Sequence, residues 1–357
     1  MEHVKSLDLD KIFQVQKVVE LEAVDSVFII NNDKVLVTEN QIFIMDKSKT
    51  HSIYVYSEEG EFLYSISNFG EGPNEYREIR DFTIDPSNSK LSILDFASRT
   101  IWIYEMSTGK LREKVSIENN INYTAFEEKE GNLIYFHGNN CGLLDDCKNI
   151  TFSTNLLDSS FFTIPQNLRG FDLKSNQVFS RNGSDIYYSE LLNDTIYEME
   201  PSNMSISALY AIDFGNFKIS TEFKYSNANE SANELIQYTL INRKTIGINE
   251  FFVSDSILYF NFGIPDLRQA FYNKYSGRSI SFDKFRTSNL LLIGEIVSVH
   301  ENSFVALISD ETLISLKRSA DSKDSVMFRE SNPEMYEIIK DRDVGSNPVL
   351  VFLKVKL

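Results

Sequence analysis

A reactive centre in this chain would have to be assembled from four histidines, two cysteines and a surplus of carboxylates, and their spacing argues against one. His3, His51, His137 and His300 stand far apart, and none belongs to an H-E-x-x-H or similar ligand pair. His300 reads as a hydrogen-bonded strand residue rather than a catalyst. Cys141 and Cys147 flank a five-residue spacer in "CGLLDDC". That spacing fits a small disulfide ring in an oxidising compartment and, equally, two free thiols. With His137 the one nearby imidazole, a four-ligand zinc site is not available. There is no G-x-S-x-G elbow. Acidic pairs such as Glu58–Glu59 and Asp145–Asp146 fall in turns, where solvated charge accounts for them. The glycine-rich "FGEGPNEY" (69–76) lacks the Lys-Ser/Thr of a phosphate loop. Recognition is the chemistry that remains. Arginine grips carboxylates through paired N–H donors, which makes Arg77, Arg80, Arg99 and Arg268 the better ligand candidates. Salt bridges to neighbouring Asp and Glu are the competing role for each of them.

The bulk composition narrows the partners. Of 357 residues, 42% are hydrophobic and 13% aromatic, enough for a large core with strand-favouring side chains. A net charge of −17 excludes nucleic-acid backbone as a partner, because phosphate binding needs a basic face. No apolar run approaches the roughly 20 residues needed to span a bilayer. The opening "MEHVKSLDLDKIFQVQ" lacks the charged-then-apolar layout of a signal peptide. Two readings stay open: a cytoplasmic protein, or a mature chain whose leader was removed and a Met added.

The elements that would position these side chains come from an internal repeat. "QIFIMDKSKTHSIYVYSEEGEFLYSI" (41–66) superimposes on "LSILDFASRTIWIYEMSTGKLREKVSI" (91–117), matching Asp46 with Asp95, Tyr56 with Tyr104 and Gly60 with Gly109. Self-similarity at such a period marks a propeller or solenoid, and the alternation in "IWIY" excludes helical repeats. Each unit supplies four antiparallel strands, A to D from inside outward. Six units, at about 27–66, 79–117, 121–165, 176–215, 249–285 and 294–357, predict a single all-β domain over 1–357, a six-bladed β-propeller. The last unit lacks two strands after Ser309; "NPVLVFLKVKL" at the C-terminus and "FQVQKVVEL" (13–21) at the N-terminus are expected to complete it and close the ring. Short helices are expected in the insertions 226–247 and 331–343. "FGEGPNEY" becomes the crossover from strand D of one blade to strand A of the next, with Gly70 and Gly72 expected to supply positive φ and Pro73 to stiffen the path.

The run "GEGPNEY", then "IRDFTID", then "ILD…IWIY…GK", together with "NDTIY" (193–197) and the closing "NPVLVFLKVKL", resembles the bacterial six-bladed β-propeller proteins of the NHL/TolB-like kind. The likeness extends over nearly the whole chain. It implies the propeller fold, and it implies a lipoprotein of the periplasm or cell surface whose leader is missing from this chain. The TolB likeness further implies a place in a multi-protein envelope complex.

In a propeller the D–A and B–C connections emerge at one end of the central channel, where loops vary without disturbing the blades. There the sequence places Tyr76, Arg77, Arg80 and Asp81 from the D–A side of unit two, and His51, Arg99, Glu190, Asn193 and Arg268 from B–C loops. Asp46 and Asp95 are expected to cap their own loops through Asx-type bonds. The leading expectation is a non-enzymatic binding or scaffold protein of the cell envelope, without cofactor, recognising a peptide, glycan or protein partner at that mouth. A membrane is a partner only through a lipid anchor absent from this chain. The alternative resembles the six-bladed lactonases and strictosidine-synthase-like proteins: a Ca2+-assisted hydrolase with its site at the channel centre.

Overall fold

Alternating side chains become strands where the sequence places them. A computed structural model describes the chain except for residues 1, 25–26, 118–122, 139–147, 155–157, 164–176, 220–231, 264–266 and 322–324. The chain opens with β1 (Glu2–Asp8) and β2 (Phe13–Glu20). Blade 1 follows as β3 (Lys34–Val37), β4 (Gln41–Asp46), β5 (Ser52–Ser57) and β6 (Phe62–Ile66). Blade 2 is β7 (Ile79–Asp85), β8 (Lys90–Asp95), β9 (Thr100–Glu105) and β10 (Leu111–Ser116). Blade 3 is β11 (Ala125–Lys129), β12 (Asn132–Phe136), β13 (Lys148–Ser153) and β14 (Asp158–Thr163). Blade 4 is β15 (Phe179–Asn182), β16 (Asp185–Tyr188), β17 (Thr195–Glu200) and β18 (Ser205–Ala211). Helix α1 (Ala232–Asn242) precedes blade 5, which is β19 (Ile248–Val253), β20 (Ile257–Phe262), β21 (Arg268–Asn273) and β22 (Ser279–Arg286). Blade 6 begins with β23 (Glu295–His300) and β24 (Ser303–Ile308), passes through helices α2 (Asp310–Ala320), α3 (Ser325–Ser331) and α4 (Pro333–Ile339), and ends with β25 (Val349–Val355). Among the described residues, six blades of four antiparallel strands, one of them extended by a fifth strand, with a few short helices, make this a six-bladed β-propeller.

Two compact units are distinguishable: Met1–Ser67 with Phe252–Leu258 and Ala270–Leu357, and Asn68–Phe251 with Tyr259–Gln269. In the first, the last blade runs in the order β2-β25-β24-β23. Phe13 pairs with Val355 and Glu20 with Val349, while Ile308 pairs with Val349 on the other side. The two chain ends therefore share one sheet, as the leftover strands at each end predicted. Its core comes from alternate residues on facing sheets: Val19, Ile42, Ile44, Tyr54, Tyr56, Val305, Leu307 and Leu350. In the second unit, the same alternation buries Ile134, Phe136, Ile150, Phe152, Ile186 and Tyr188 between blades 3 and 4. Leu94, Ile101, Ile103, Phe126 and Tyr135 fill the space between blades 2 and 3.

Some elements go beyond the sequence reading. Helices α1 and α4 lie within the two insertions expected to be helical, but α2 and α3 add two more before β25. Ser309 caps α2 by accepting the Thr312 N–H at 3.3 Å, and Asp310 and Glu311 in the first turn and Lys317 and Arg318 in the last complement its dipole. Strand β1 joins blade 5 as a fifth strand, parallel to β22. Gly70 and Gly72 do not adopt positive φ. Their small size matters for another reason: Gly72 N–H donates to the Glu75 carboxylate at 2.7 Å, and a Cβ on Gly70 would collide with that carboxylate. Cys141 and Cys147 lie outside the described residues. Among the described residues no helix is long and apolar enough to cross a membrane.

Candidate binding site on the loops of the second blade

Asp95 ends β8 and is fully buried. Its carboxylate accepts the backbone N–H groups of Arg77 (2.9 Å) and Glu78 (3.1 Å) from the D–A crossover. It also accepts from the Ala97 and Ser98 amides at 3.1 and 3.2 Å, from the Ser98 hydroxyl at 2.6 Å and from the Trp102 indole at 3.3 Å. One side chain thus fixes both loops at this end of the blade. The repeat carries the same device in blade 1: Asp46 accepts from Ile30 and Asn31 on the incoming loop and from Lys49 and Thr50 in its own turn. The Asx cap read from sequence is present, and its larger part is the tie to the preceding crossover, which no local pattern announces.

The other side chains on this blade divide by exposure. Tyr76 is fully buried with its ring edge-on to Trp102 at 6.4 Å. Asp81 is also buried; its carboxylate accepts the Phe82 amide at 2.8 Å and the Phe126 amide of blade 3 at 3.0 Å. Arg80 pairs with Glu78 at 3.4 Å and lies 4.2 Å over the Phe96 ring. Arg77 and Arg99 are exposed. Arg99 has a left-handed φ of 51°, directly before β9, and its carbonyl accepts the Ile117 N–H at 2.8 Å. Lys114 of β10 donates to the Pro73 carbonyl and to Asn74 and stands 4.6 Å over Trp102. The loop end of blade 2 therefore presents Arg77 and Arg99, with Glu71 and Glu75 of the crossover also exposed, on a framework held from beneath.

The remaining candidates belong to other blades. In blade 4, the Asn193 amide donates to the Glu190 carbonyl at 3.2 Å, the Asn193 side chain accepts the Thr195 amide at 3.1 Å, and the Glu190 carboxylate accepts from Asn149. Arg268 opens β21 of blade 5 and stacks 4.1 Å over Phe217. His51, in blade 1, has φ 51° directly before β5, the counterpart of Arg99.

Two buried features escaped the sequence reading. Arg181 of β15 donates to Thr83 Oγ1 (3.3 Å) and the Ile84 carbonyl of β7, and to Glu127 (3.4 Å) and the Glu128 carbonyl (2.7 Å) of β11. Thr83 donates to Glu127 at 2.6 Å. Burial raises the Asp85 carboxyl, but hydrogen bonds from Ser87, Asn88 and Gly131 and the Arg181 charge hold it below its usual range. His137, one residue past β12, is buried against Tyr123, with Nε2 at 2.9 Å from Thr151 and Nδ1 without a partner among the described residues. Burial pushes its pKa down to about 4. Among the described residues no group of three or more His, Cys, Asp or Glu is placed to hold a metal ion.

Replacing Asp95 with alanine frees at least four backbone amides and the Trp102 indole. Because bonds to a charged acceptor contribute ~1.5–3 kcal/mol, and the amides near the surface regain water, the expected loss is about 2 kcal/mol. Denaturant titration of Asp95→Ala checks it; a change within 0.5 kcal/mol, on the order of an ordinary surface substitution, would contradict the tie.

A family described as a domain of unknown function, DUF4934, matches residues 1–354. A Bacteroides fragilis structure titled "Putative exported protein" is similar at a TM-score of 0.76 and 15% identity, covering 99% of each chain. A member of the DUF4221 family from Bacteroides vulgatus is similar at 0.55 and 10% identity, over 96% of this chain and 98% of that one. Both likenesses concern the fold. No curated protein matches the sequence.

Proposed function

The chain belongs to the DUF4934 family, and on that footing we propose that it is an exported, non-enzymatic binding protein of the bacterial envelope that takes carboxylate groups of a peptide, glycan or protein partner on the loops of blade 2. The observation that carries this reading is the pair of exposed arginines, Arg77 and Arg99, on two loops fixed by the single buried carboxylate of Asp95. Fixed loops spend little ordering entropy on binding. The finer reading, a lipid-anchored protein of the NHL/TolB-like kind, is supported by the sequence resemblance and by the fold shared with a Bacteroides fragilis protein titled as exported.

Thermal shift against short acidic peptides and oligouronides tests the proposal. A subset should raise the melting temperature of the native chain, and Arg77→Glu with Arg99→Glu should abolish the rise while leaving the unliganded melting temperature within about 2 °C, as surface substitutions do. Hydrolysis of an ester or lactone by the purified protein, removed by a single substitution, would overturn the non-enzymatic reading.

A further inference from the structure

Among the described residues, blade 5 carries a strand that the other blades lack. β1 lies outside β22 and runs parallel to it, with Glu2 opposite Ile280, Val4 opposite Phe282 and Asp8 opposite Arg286. Consecutive strands within the other blades pair antiparallel, as a chain folding back on itself must. β22 is eight residues long against six in β21, so its outer edge offers a run of backbone donors and acceptors.

The hold of β1 on that edge is slight in side chains. Leu7 alone is buried, while Glu2, His3, Lys5 and Ser6 are exposed. His3 reaches Ser281 at 3.0 Å and Asp283 at 3.5 Å, and Asp8 lies 3.7 Å from Arg286. The residues that follow are held far more firmly. Leu9 and Ile12 are buried, and the Ile12 carbonyl accepts the Lys356 N–H at 2.6 Å. The Asp10 carboxylate accepts from the Thr287 hydroxyl, from both Ser288 donors at 2.8 and 2.5 Å, and from the Asn289 amide at 3.3 Å. Burial raises that carboxyl, but the hydrogen bonds from Ser288, Thr287 and Asn289 together carry its pKa down to about 2. Asp10 therefore anchors the segment after β1 through contacts that lie outside the β1–β22 pairing.

We propose that the outer edge of β22 is a docking site for an extended segment of a partner protein, added as a parallel strand, and that β1 is its resident competitor. Main-chain hydrogen bonds supply the affinity in such strand addition, and a few side-chain positions supply the choice. The positions are those β1 now fills: a hydrogen-bonding or cationic residue beside Ser281 and Asp283, an apolar residue four positions on at the place of Leu7, and a carboxylate facing Arg286. The edge belongs to a different blade from the arginine site, and either proposal can fail alone.

The test uses the full chain carrying Val4→Asp and Leu7→Asp, which unseat β1, and a synthetic peptide of sequence EHVKSLD as the probe. Hydrogen exchange of Ile280–Arg286 should quicken at least tenfold in the variant, while β24 and β25 stay protected. The peptide, and not a scrambled version, should restore the protection; on the native chain it should have little effect, because the tethered strand outcompetes it. Unchanged exchange in the variant would mean that β1 is not what covers the edge. Fast exchange that no concentration of peptide slows would mean that the edge accepts no strand in trans. Either result overturns the proposal. If β24 and β25 lose protection as well, His3→Ala removes only the contacts to Ser281 and Asp283 and is read in the same way, with the same two results counting against the proposal.

Discussion

Replacing Arg181 with methionine should destabilise the folded chain by about 3–5 kcal/mol, the cost of stranding the partner of a buried ion pair. The Arg181 side chain is 7% exposed and Glu127 1%. Without the guanidinium, Glu127 keeps the Thr83 hydroxyl but loses the Arg181 charge, and the Ile84 and Glu128 carbonyls lose a charged donor. The damage is not confined to one blade, because Arg181 spans the first strands of blades 2, 3 and 4. Pairing Arg181→Met with Glu127→Gln should recover part of the loss, since the second change removes the stranded charge. Urea midpoints of the single and double variants decide it. A loss below 1 kcal/mol, about the scale of an exposed pair, would mean that water reaches the cluster.

The second large effect is acid sensitivity through His137. Its pKa is about 4 in the folded chain against an ordinary 6.5, so the native state resists a proton that the unfolded state takes up. Stability is complete above pH 6.5 and falls as the pH drops toward 4, by up to about 3 kcal/mol from this group, since each unit corresponds to ~1.4 kcal/mol. Below pH 4 both states are protonated and the contribution changes no further. Carboxylates add their own losses in the same range, so the informative quantity is a difference. Stability of the native chain minus that of His137→Asn should shrink by about that amount between pH 7 and pH 4. Parallel curves would show that His137 is solvated.

The strand plan was legible because its period of two is local and its repeat is explicit: Asp46, Tyr56 and Gly60 return as Asp95, Tyr104 and Gly109. Closure of blade 6 was legible from two leftover apolar strands at opposite ends of the chain. The tripeptide "PSN" occurs twice with one conformation: Pro86–Asn88 and Pro201–Asn203 form the same 3-10 turn, each ended by a left-handed residue, Ser89 and Met204. What escaped were pairings set by the third dimension. "EHVKSLD" shows no clean alternation, because it is an added edge strand with one buried side chain. Helix α2 had its signals in Ser309, Asp310 and Glu311, but they follow directly on a strand. Arg181 meets Glu127 across 54 residues and Ile84 across 97, separations at which one sequence carries no trace. At the loops of blade 2, residue types pointed to arginine, while the division into exposed Arg77 and Arg99, half-buried Arg80, and buried Tyr76 and Asp81 needed the fold.

Titration calorimetry with an acidic peptide selected by thermal shift tests the carboxylate site most directly. The native chain should bind it, with an affinity that falls as salt is raised. Arg77→Glu with Arg99→Glu should weaken it at least a hundredfold, and Lys17→Glu, in a surface pair with Glu58 and Glu59 on the other unit, should change it less than twofold. Equal weakening by both would mean that the peptide responds to overall charge, and undiminished binding by the arginine variant would place recognition elsewhere.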